Sequence, residues 1–304
     1  GLRMAGGAAL GPVGIAAAEG GAEEPPRPGS AFGPAEDQFE LGDEVGSGAA
    51  ARVHTCKRLK TSEQLAVKII NLQRLKLLGD FDSHLQKLDR EVRILQELQH
   101  PRIVRLHKVH RTAGFVFLVM ELVRGGELFD RIVQNRCLGD AEAKHVFRQL
   151  LDGVGYMHSR HVIHRDLKPE NILLTAMDPD SAVLKLADFG ISRRARRSHE
   201  CSTFVGSVDY LAPEVWQSRG TTAEGSARPG YGKAADMWSL GVVLYIMLCG
   251  VQPFDGSLCQ DGLANQIMGG RWQFDVEHWK VVSDSAKDLV SRLLKVDAGA
   301  RLTA

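Results

Sequence analysis

The run Val162-Ile163-His164-Arg165-Asp166-Leu167-Lys168-Pro169-Glu170-Asn171-Ile172-Leu173-Leu174 sets charged and polar side chains among aliphatic ones. That alternation predicts a loop pinned by its apolar residues and running into a strand. An acid (Asp166), a cation two residues on (Lys168) and an amide (Asn171) converge in it. These groups can orient a hydroxyl, neutralise phosphate and hold a metal. Asp188-Phe189-Gly190 comes after the strand-like Val183-Leu184-Lys185-Leu186-Ala187. A carboxylate at a strand end beside glycine suits Mg²⁺, which takes oxygen donors and shares its shell with phosphates. By itself the tripeptide is an ordinary turn; behind Asp166, in this order, it completes a set.

Three upstream features extend the set. Gly46-Ser47-Gly48 opens a loop that ends at Val53. Glycine lets backbone approach phosphate oxygens and adopt positive φ, turning N–H groups toward an anion. Taken alone, the loop fits a plain hairpin equally well. It joins two strand-like segments, carries Ala51 in place of a third glycine and has no GK[ST] ending. A dinucleotide fold and a P-loop are therefore disfavoured. Lys68 stands among Ala66, Val67, Ile69 and Ile70, where its charge needs an anion; the alternative is an edge lysine reaching water. Glu91 shares a helical stripe with Leu88 and Leu95, which faces it inward to pair with Lys68. The alternative is a solvated helix charge.

These residues need elements to position them. Val45, Val53 and Leu65–Ile70 read as strands, and apolar residues at Leu88, Val92, Leu95 and Leu98 predict a helix ended by Pro101. After Gly125-Gly126, longer helices are expected over Ala141–His158, Met237–Val251 and Asp284–Leu294. The fold class is α+β: a small β-rich part joined to a larger α-rich part, the kind of junction where ligand sites are common. Residues 1–38, rich in Gly, Ala and Pro, are expected to be disordered, with order beginning near Phe39. Ser218–Gly230 reads as a flexible surface loop.

Bulk composition excludes several classes. With 38 Lys plus Arg against 37 Asp plus Glu, the formal net charge of +1 disfavours wholesale nucleic-acid binding. Five cysteines without a CxxC read as free thiols of a reducing compartment. Ala8–Ala18 is a faint likeness of a signal segment, broken by Gly11, Pro12 and Gly14. Met237–Val251 is short of the about 18–20 apolar residues of a membrane span. No membrane association and a cytoplasmic or nuclear location are expected.

The set resembles the eukaryotic protein kinases from about Phe39 to the last residue. That resemblance implies a bilobal fold, with an N-lobe of about 39–120 and a C-lobe of about 124–304, ending before the family's last helix. It implies ATP and Mg²⁺ as cofactors. ATP would lie under the glycine loop, against Val45, Gly46, Ser47, Gly48, Val53, Ala66 and Leu173. Met120 would be the gatekeeper, and Glu121 and Val123 part of the hinge to adenine. Lys68 would contact the α/β-phosphates, held by Glu91; Asp166 would take the hydroxyl proton, Lys168 steady the γ-phosphoryl, and Asn171 and Asp188 bind the metal.

The Lys168-Pro169-Glu170-Asn171 form is similar to the serine/threonine class, with Ser207 where that class usually has Thr. Glu214 and Arg301 match the family's buried ion pair. Gly125–Asp130, residues 236–254 and Arg271-Trp272-Gln273-Phe274 resemble the calcium/calmodulin-dependent kinase group, and within it the checkpoint effector kinases. Glu127 and Glu170 then imply Arg three residues before the target. Partners would be protein substrates with Ser or Thr and an upstream kinase or a second copy acting in trans; dimerisation is open. Two rivals stand beside this reading: a scaffold that kept the fold and lost catalysis, and a small-molecule phosphotransferase. Arg193, Arg194, Arg196 and Arg197 read first as a solvated loop. Phosphate on Thr203 would pair with Arg165 and order the loop from Asp188 to Glu214. Activity of Thr203→Ala after treatment with an upstream kinase tests this: a loss is expected, and unchanged activity contradicts it.

Overall fold

The computed structural model describes residues 24–178, 181–189, 193–194, 208–217, 232–254, 262–274, 277 and 279–304. The chain divides into two compact units. The first comprises the described residues through His84 together with Leu106–Leu122. Its sheet has strands β1 (Ala31–Phe32), β2 (Phe39–Ser47), β3 (Ala51–Arg58), β4 (Gln64–Asn71), β5 (Leu106–Arg111) and β6 (Phe115–Glu121). They are ordered β1-β2-β3-β4-β6-β5 and antiparallel throughout.

The two-residue alternation of β4 sorts its side chains. Leu65, Val67 and Ile69 join Phe32, Phe39, Leu41, Cys56, Phe115, Phe117 and Val119 in one buried cluster. Burial there pushes the Cys56 thiol up to about 12, against the pull of Arg58, so it stays protonated. Helix α1 (Leu72–Leu77) leaves the end of β4, with Asn71 Oδ1 accepting from Arg74 N at 2.9 Å. Neither α1 nor this cap was anticipated from the sequence pattern, although Asn ahead of a helix is a start signal.

The expected disorder of residues 1–38 is corrected for residues 24–38; residues 1–23 lie outside the described residues. Phe32 is buried and stacks between Phe39 (5.4 Å) and Phe117 (4.9 Å). Asp37 pairs with Arg58 at 3.1 Å. Beside the β1–β2 pair, Gly29 N donates to Leu41 O and Leu41 N to Ser30 O. One aromatic side chain and an added edge strand outweigh a composition that otherwise reads as disordered.

The second unit, Leu85–Arg105 with Val123–Ala304, is mainly helical. It includes most of α2 (Phe81–Glu97), then α3 (Leu128–Asn135), α4 (Asp140–Ser159), β7 (Val162–Ile163), β8 (Ile172–Leu174), β9 (Leu184–Leu186) and β10 (Arg193–Arg194). Helices α5 (Pro213–Gln217), α6 (Lys233–Cys249), α7 (Gly262–Met268) and α8 (Asp284–Leu293) come after these. The α+β class and the division into β-rich and α-rich parts are as expected. The helix expected at Leu88–Leu98 starts earlier, and the segment just past its C-terminus assigns it to this unit. Gln99 N donates to Tyr156 Oη, Leu186 N to Arg102 O and Val104 N to Leu186 O. Those bonds tie the end of α2 to α4 and β9. Ser218–Gly230 lies outside the described residues.

Helix α6 is apolar around nearly its whole circumference and buried along it, as a core helix must be. Among the described residues no helix is long and apolar enough to cross a membrane. Its one acid in the first turn, Asp236, is fully buried and therefore needs partners. Oδ2 accepts from His158 Nε2 (2.8 Å) and His164 N (3.0 Å), and Oδ1 accepts from Arg165 N (2.9 Å). Ser239, one turn on, donates to Tyr210 O at 2.9 Å. Arg301 completes this end of the helix. Its guanidinium donates to both Glu214 carboxylate oxygens (2.9 and 3.0 Å), Ala234 O (2.6 Å), Lys295 O (3.0 Å) and Val296 O (3.3 Å). All five N–H groups are thereby used. The expected Glu214–Arg301 pair is met in bidentate form.

Burial opposes the charged form of Asp236, but the hydrogen bond and charge of His158, with His164 and the Arg165 N–H, outweigh it. They hold the carboxyl below its ordinary range. The folded state thus binds the Asp236 proton more weakly than the unfolded chain. The stability so gained is complete above the unfolded value of about 4 and is lost as pH falls toward the folded value. Asp236→Asn should cost about 3 kcal/mol at neutral pH, because an amide leaves a buried donor unmatched. The gap in unfolding free energy between the two proteins should narrow below about pH 4. A gap that stays constant from pH 6 to pH 3 would contradict this.

Candidate active site

The path of the loop between β7 and β8 is set by those anchors. Arg165 is buried and holds φ +75°, a left-handed conformation unfavourable for a residue with a β-carbon. Its N–H bond to Asp236 pins the strained peptide. His164, wholly buried, donates from Nε2 to Ala187 O (3.1 Å) and accepts at Nδ1 from Asp166 N (3.4 Å). Its ring leans on Phe189 at 4.8 Å. One imidazole thus ties the residue before Asp188 to the residue carrying the acid.

The predicted acid, cation and amide do converge. Lys168 Nζ lies 3.3 Å from Asp166 Oδ2. Asn171 Nδ2 donates to Asp166 Oδ2 (2.9 Å) and Asp166 O (2.8 Å). Both amide hydrogens are spent on Asp166, which orients Asn171 with its Oδ1 as the remaining donor atom for a cation.

The short β8–β9 ladder pairs Ile172 with Leu186, and Ala187 N donates to Asn171 O at 2.9 Å. Asn171 and Asp188 therefore leave the same end of one hairpin. Asp188 has φ +55°, a left-handed geometry that aspartate tolerates better than most residues. Hard oxygen donors from Asn171 and Asp188 fit Mg²⁺, whose remaining ligands would be phosphate and water. No group of three or more His, Cys, Asp or Glu suits a metal among the described residues.

A second cluster is acidic. Gly125 N donates to Leu174 O and Leu174 N to Gly126 O, and Glu127 forms a bridge with Leu173. A β-carbon on Gly125 would lie 2.4 Å from Leu174 O, and Gly126 has φ +78°, so both glycines are required for this docking. It brings Glu127 toward Glu170. Burial, then Asp130 and Glu170, push the Glu127 carboxyl up, with Lys168 pulling the other way. Glu170 Oε2 is buried without a hydrogen-bond partner among the described residues. Burial raises the Tyr210 phenol, and Glu170, Asp209 and Asp166 add to it.

In the first unit, register assigns the faces. Lys68 pairs with Val53 on one side and Leu118 on the other, and Ala66 pairs with Met120. Val53, Ala66, Lys68, Leu118 and Met120 consequently share the face opposite the buried cluster. β4 is an inner strand, so the edge-lysine alternative falls. The glycine loop closes with Gly48 N donating to Ala51 O at 2.8 Å, and Gly46 pairs with Val53. Neither Gly46 nor Gly48 has positive φ, and a β-carbon on either would make only ordinary contact. The expected φ argument is corrected: here these glycines leave space rather than relieve strain. Val45, beside them, is exposed, Glu121 and Val123 are half-buried, and Ser47 ends β2.

Glu91 is 7% exposed on α2, so it is not a solvated helix charge. Ser207, Thr203, Gly190, Arg196 and Arg197 lie outside the described residues. Arg193 and Arg194, expected in a loop, form β10 against β7. Sequence reasoning missed Asp236 and Ser239 as anchors. The available signal was an acid opening an otherwise apolar helix.

A protein kinase domain matches residues 39–304. The chain is 41% identical over 269 residues to calcium/calmodulin-dependent protein kinase type 1 of Macrobrachium nipponense, covering 88% of this chain and 72% of that protein. It is 39% identical over 269 residues to calcium/calmodulin-dependent protein kinase type II subunit delta of Oryctolagus cuniculus, covering 88% and 47%. It is 39% identical over 281 residues to serine/threonine-protein kinase DCLK3 of Mus musculus, covering 92% and 33%. The chain thus spans about a third to a half of the latter two proteins. An acid, a lysine and an oriented amide on a loop held from beneath by a buried aspartate accord with that match, and the chain belongs to the protein kinase family.

Proposed function

We propose that the chain is an ATP- and Mg²⁺-dependent serine/threonine kinase that phosphorylates proteins and favours Arg three residues before the target hydroxyl. The observation that carries this is the Asp166–Lys168–Asn171 constellation, in which one carboxylate oxygen meets both the ammonium and the amide. Asp166 accepts the proton of the substrate hydroxyl as the new O–P bond forms. The bond from the γ-phosphorus to its bridging oxygen breaks, and ADP leaves. Lys168 balances charge on the transferred group, and Lys68 meets the α/β-phosphates. Magnesium held by Asn171 and Asp188 would neutralise charge on the phosphate oxygens. The retained Lys68, Glu91, Asp166, Asn171 and Asp188 support catalysis over a scaffold that lost it.

The Arg preference rests on Glu127 and Glu170. A carboxylate oxygen buried without a donor and a neighbouring acid made harder to ionise both gain from an arriving guanidinium. A protein-facing acidic site also favours protein over small-molecule acceptors. The narrower likeness to checkpoint effector kinases rests on sequence motifs alone.

Phosphate transfer from radiolabelled ATP to a serine peptide with Arg at the −3 position tests both parts. Asp166→Asn should lower kcat about 100-fold or more. Glu170→Gln should raise KM for that peptide about tenfold, leave kcat nearly unchanged and have little effect once the peptide's Arg is replaced by Ala. Equal turnover by Asp166→Asn would contradict the kinase assignment. An unchanged KM in Glu170→Gln would remove the Arg preference alone.

A further inference from the structure

Away from the catalytic loop, α4 borders an open groove of about 600 Å³, lined by Arg102, Lys144, His145, Arg148, Gln149 and Asp152. The α4 members recur at the three- and four-residue intervals of one helical stripe. Gln149 is buried and uses its whole amide. Oε1 accepts from Arg102 Nη1 (2.6 Å) and Leu184 N (2.9 Å); Nε2 donates to Ala182 O (3.2 Å) and His145 Nε2 (2.8 Å). Two donors on Oε1 fix the amide's orientation, so His145 Nε2 is the acceptor and its proton sits on Nδ1. Arg102 also donates from Nε to Asp152 Oδ2 (3.4 Å). Its other N–H groups have no acceptor among the described residues. The groove floor is therefore preorganised around a cation.

Its rim is cationic and unmatched. Lys144 and Arg148 are exposed, and neither has an acidic partner among the described residues. Three helix cations outside the groove do have acidic partners: Arg131 with Glu142, Lys287 with Asp284, and Arg292 with Asp288. Asp152, the one acid of the groove, already faces Arg102 and, at 3.6 Å, His100. Lys144 and Arg148 stand one turn apart, about 6 Å along the axis. Alternate side chains of an extended peptide repeat at about 6.6 Å.

We infer that this groove docks an acidic segment of a protein partner, extended and carrying carboxylates at alternate positions, against Lys144, Arg148 and Arg102. Arginine clusters recognise acidic motifs in this way, through charge-assisted and bidentate hydrogen bonds. The segment binds apart from the catalytic loop, so docking adds affinity for a partner without entering phosphoryl transfer.

The test is fluorescence anisotropy with the full chain, without ATP, using a labelled octapeptide of alternating glutamate and asparagine. Its counterpart alternates lysine and asparagine. The wild-type chain should bind the glutamate peptide in preference. The double variant Lys144→Glu, Arg148→Glu should bind it at least tenfold more weakly and gain affinity for the lysine peptide. A reversal of preference cannot come from unfolding, and turnover of a short Arg-containing serine peptide should be unchanged. Equal binding by the double variant, no preference in the wild-type chain, or tighter capture of anionic lipid vesicles than of the glutamate peptide would overturn the inference.

Discussion

Asp236 carries a charge where no water reaches, and its two oxygens are answered by one imidazole and two consecutive backbone amides. Those amides belong to His164 and Arg165, so the helix carrying the acid dictates the path of the loop. An isolated buried carboxylate would be costly. Paired in this way, its need for donors fixes a loop conformation that is otherwise unfavourable, with Arg165 at φ +75°. Everything after that peptide is aimed by it: the acid at Asp166, the lysine that meets it, and the amide that it orients.

The same end of α6 holds two further loops. Ser239 takes the carbonyl of Tyr210, and Ala234 gives its carbonyl to Arg301, which grips Glu214 with both Nη atoms. Breaking one partner of such a buried pair typically costs about 3–5 kcal/mol, since the other charge is stranded. Placing these polar groups on the most apolar helix couples loop geometry to the core. A loop residue can shift only if a buried donor or acceptor loses its match. The ring of His164 then passes the constraint to Ala187, and so to the aspartate beside it.

Much of this was legible in the sequence, and the rest was hidden for physical reasons. Helices α4 and α8 were visible because their apolar residues recur with helical period, and α6 because it is one long, almost unbroken apolar run. The Asp166–Lys168–Asn171 grouping was visible because such a dense polar string needs a chemical explanation. Short α1 and α3 escaped, having too few turns to show a period. Phe32 escaped because a single aromatic anchoring a two-residue strand leaves no pattern. The role of Asp236 was invisible because two of its three partners are backbone amides some seventy positions away, and backbone donors have no sequence signature. The glycine loop was misjudged in detail: the residue type was informative, but its conformational freedom is not what the structure uses.

If a buried carboxylate sets the loop that presents Asp166, the Arg165 amide must be among the most protected from hydrogen exchange in the folded chain. Residue-resolved exchange by NMR, comparing the wild-type chain with Asp236→Asn, measures this directly. The account predicts slow exchange at His164 and Arg165 in the wild type and acceleration of about tenfold or more in the variant, for a loss of at least about 1.4 kcal/mol in local stability. Exchange at Arg165 that is equally fast in both proteins, or unchanged by the substitution, would contradict it.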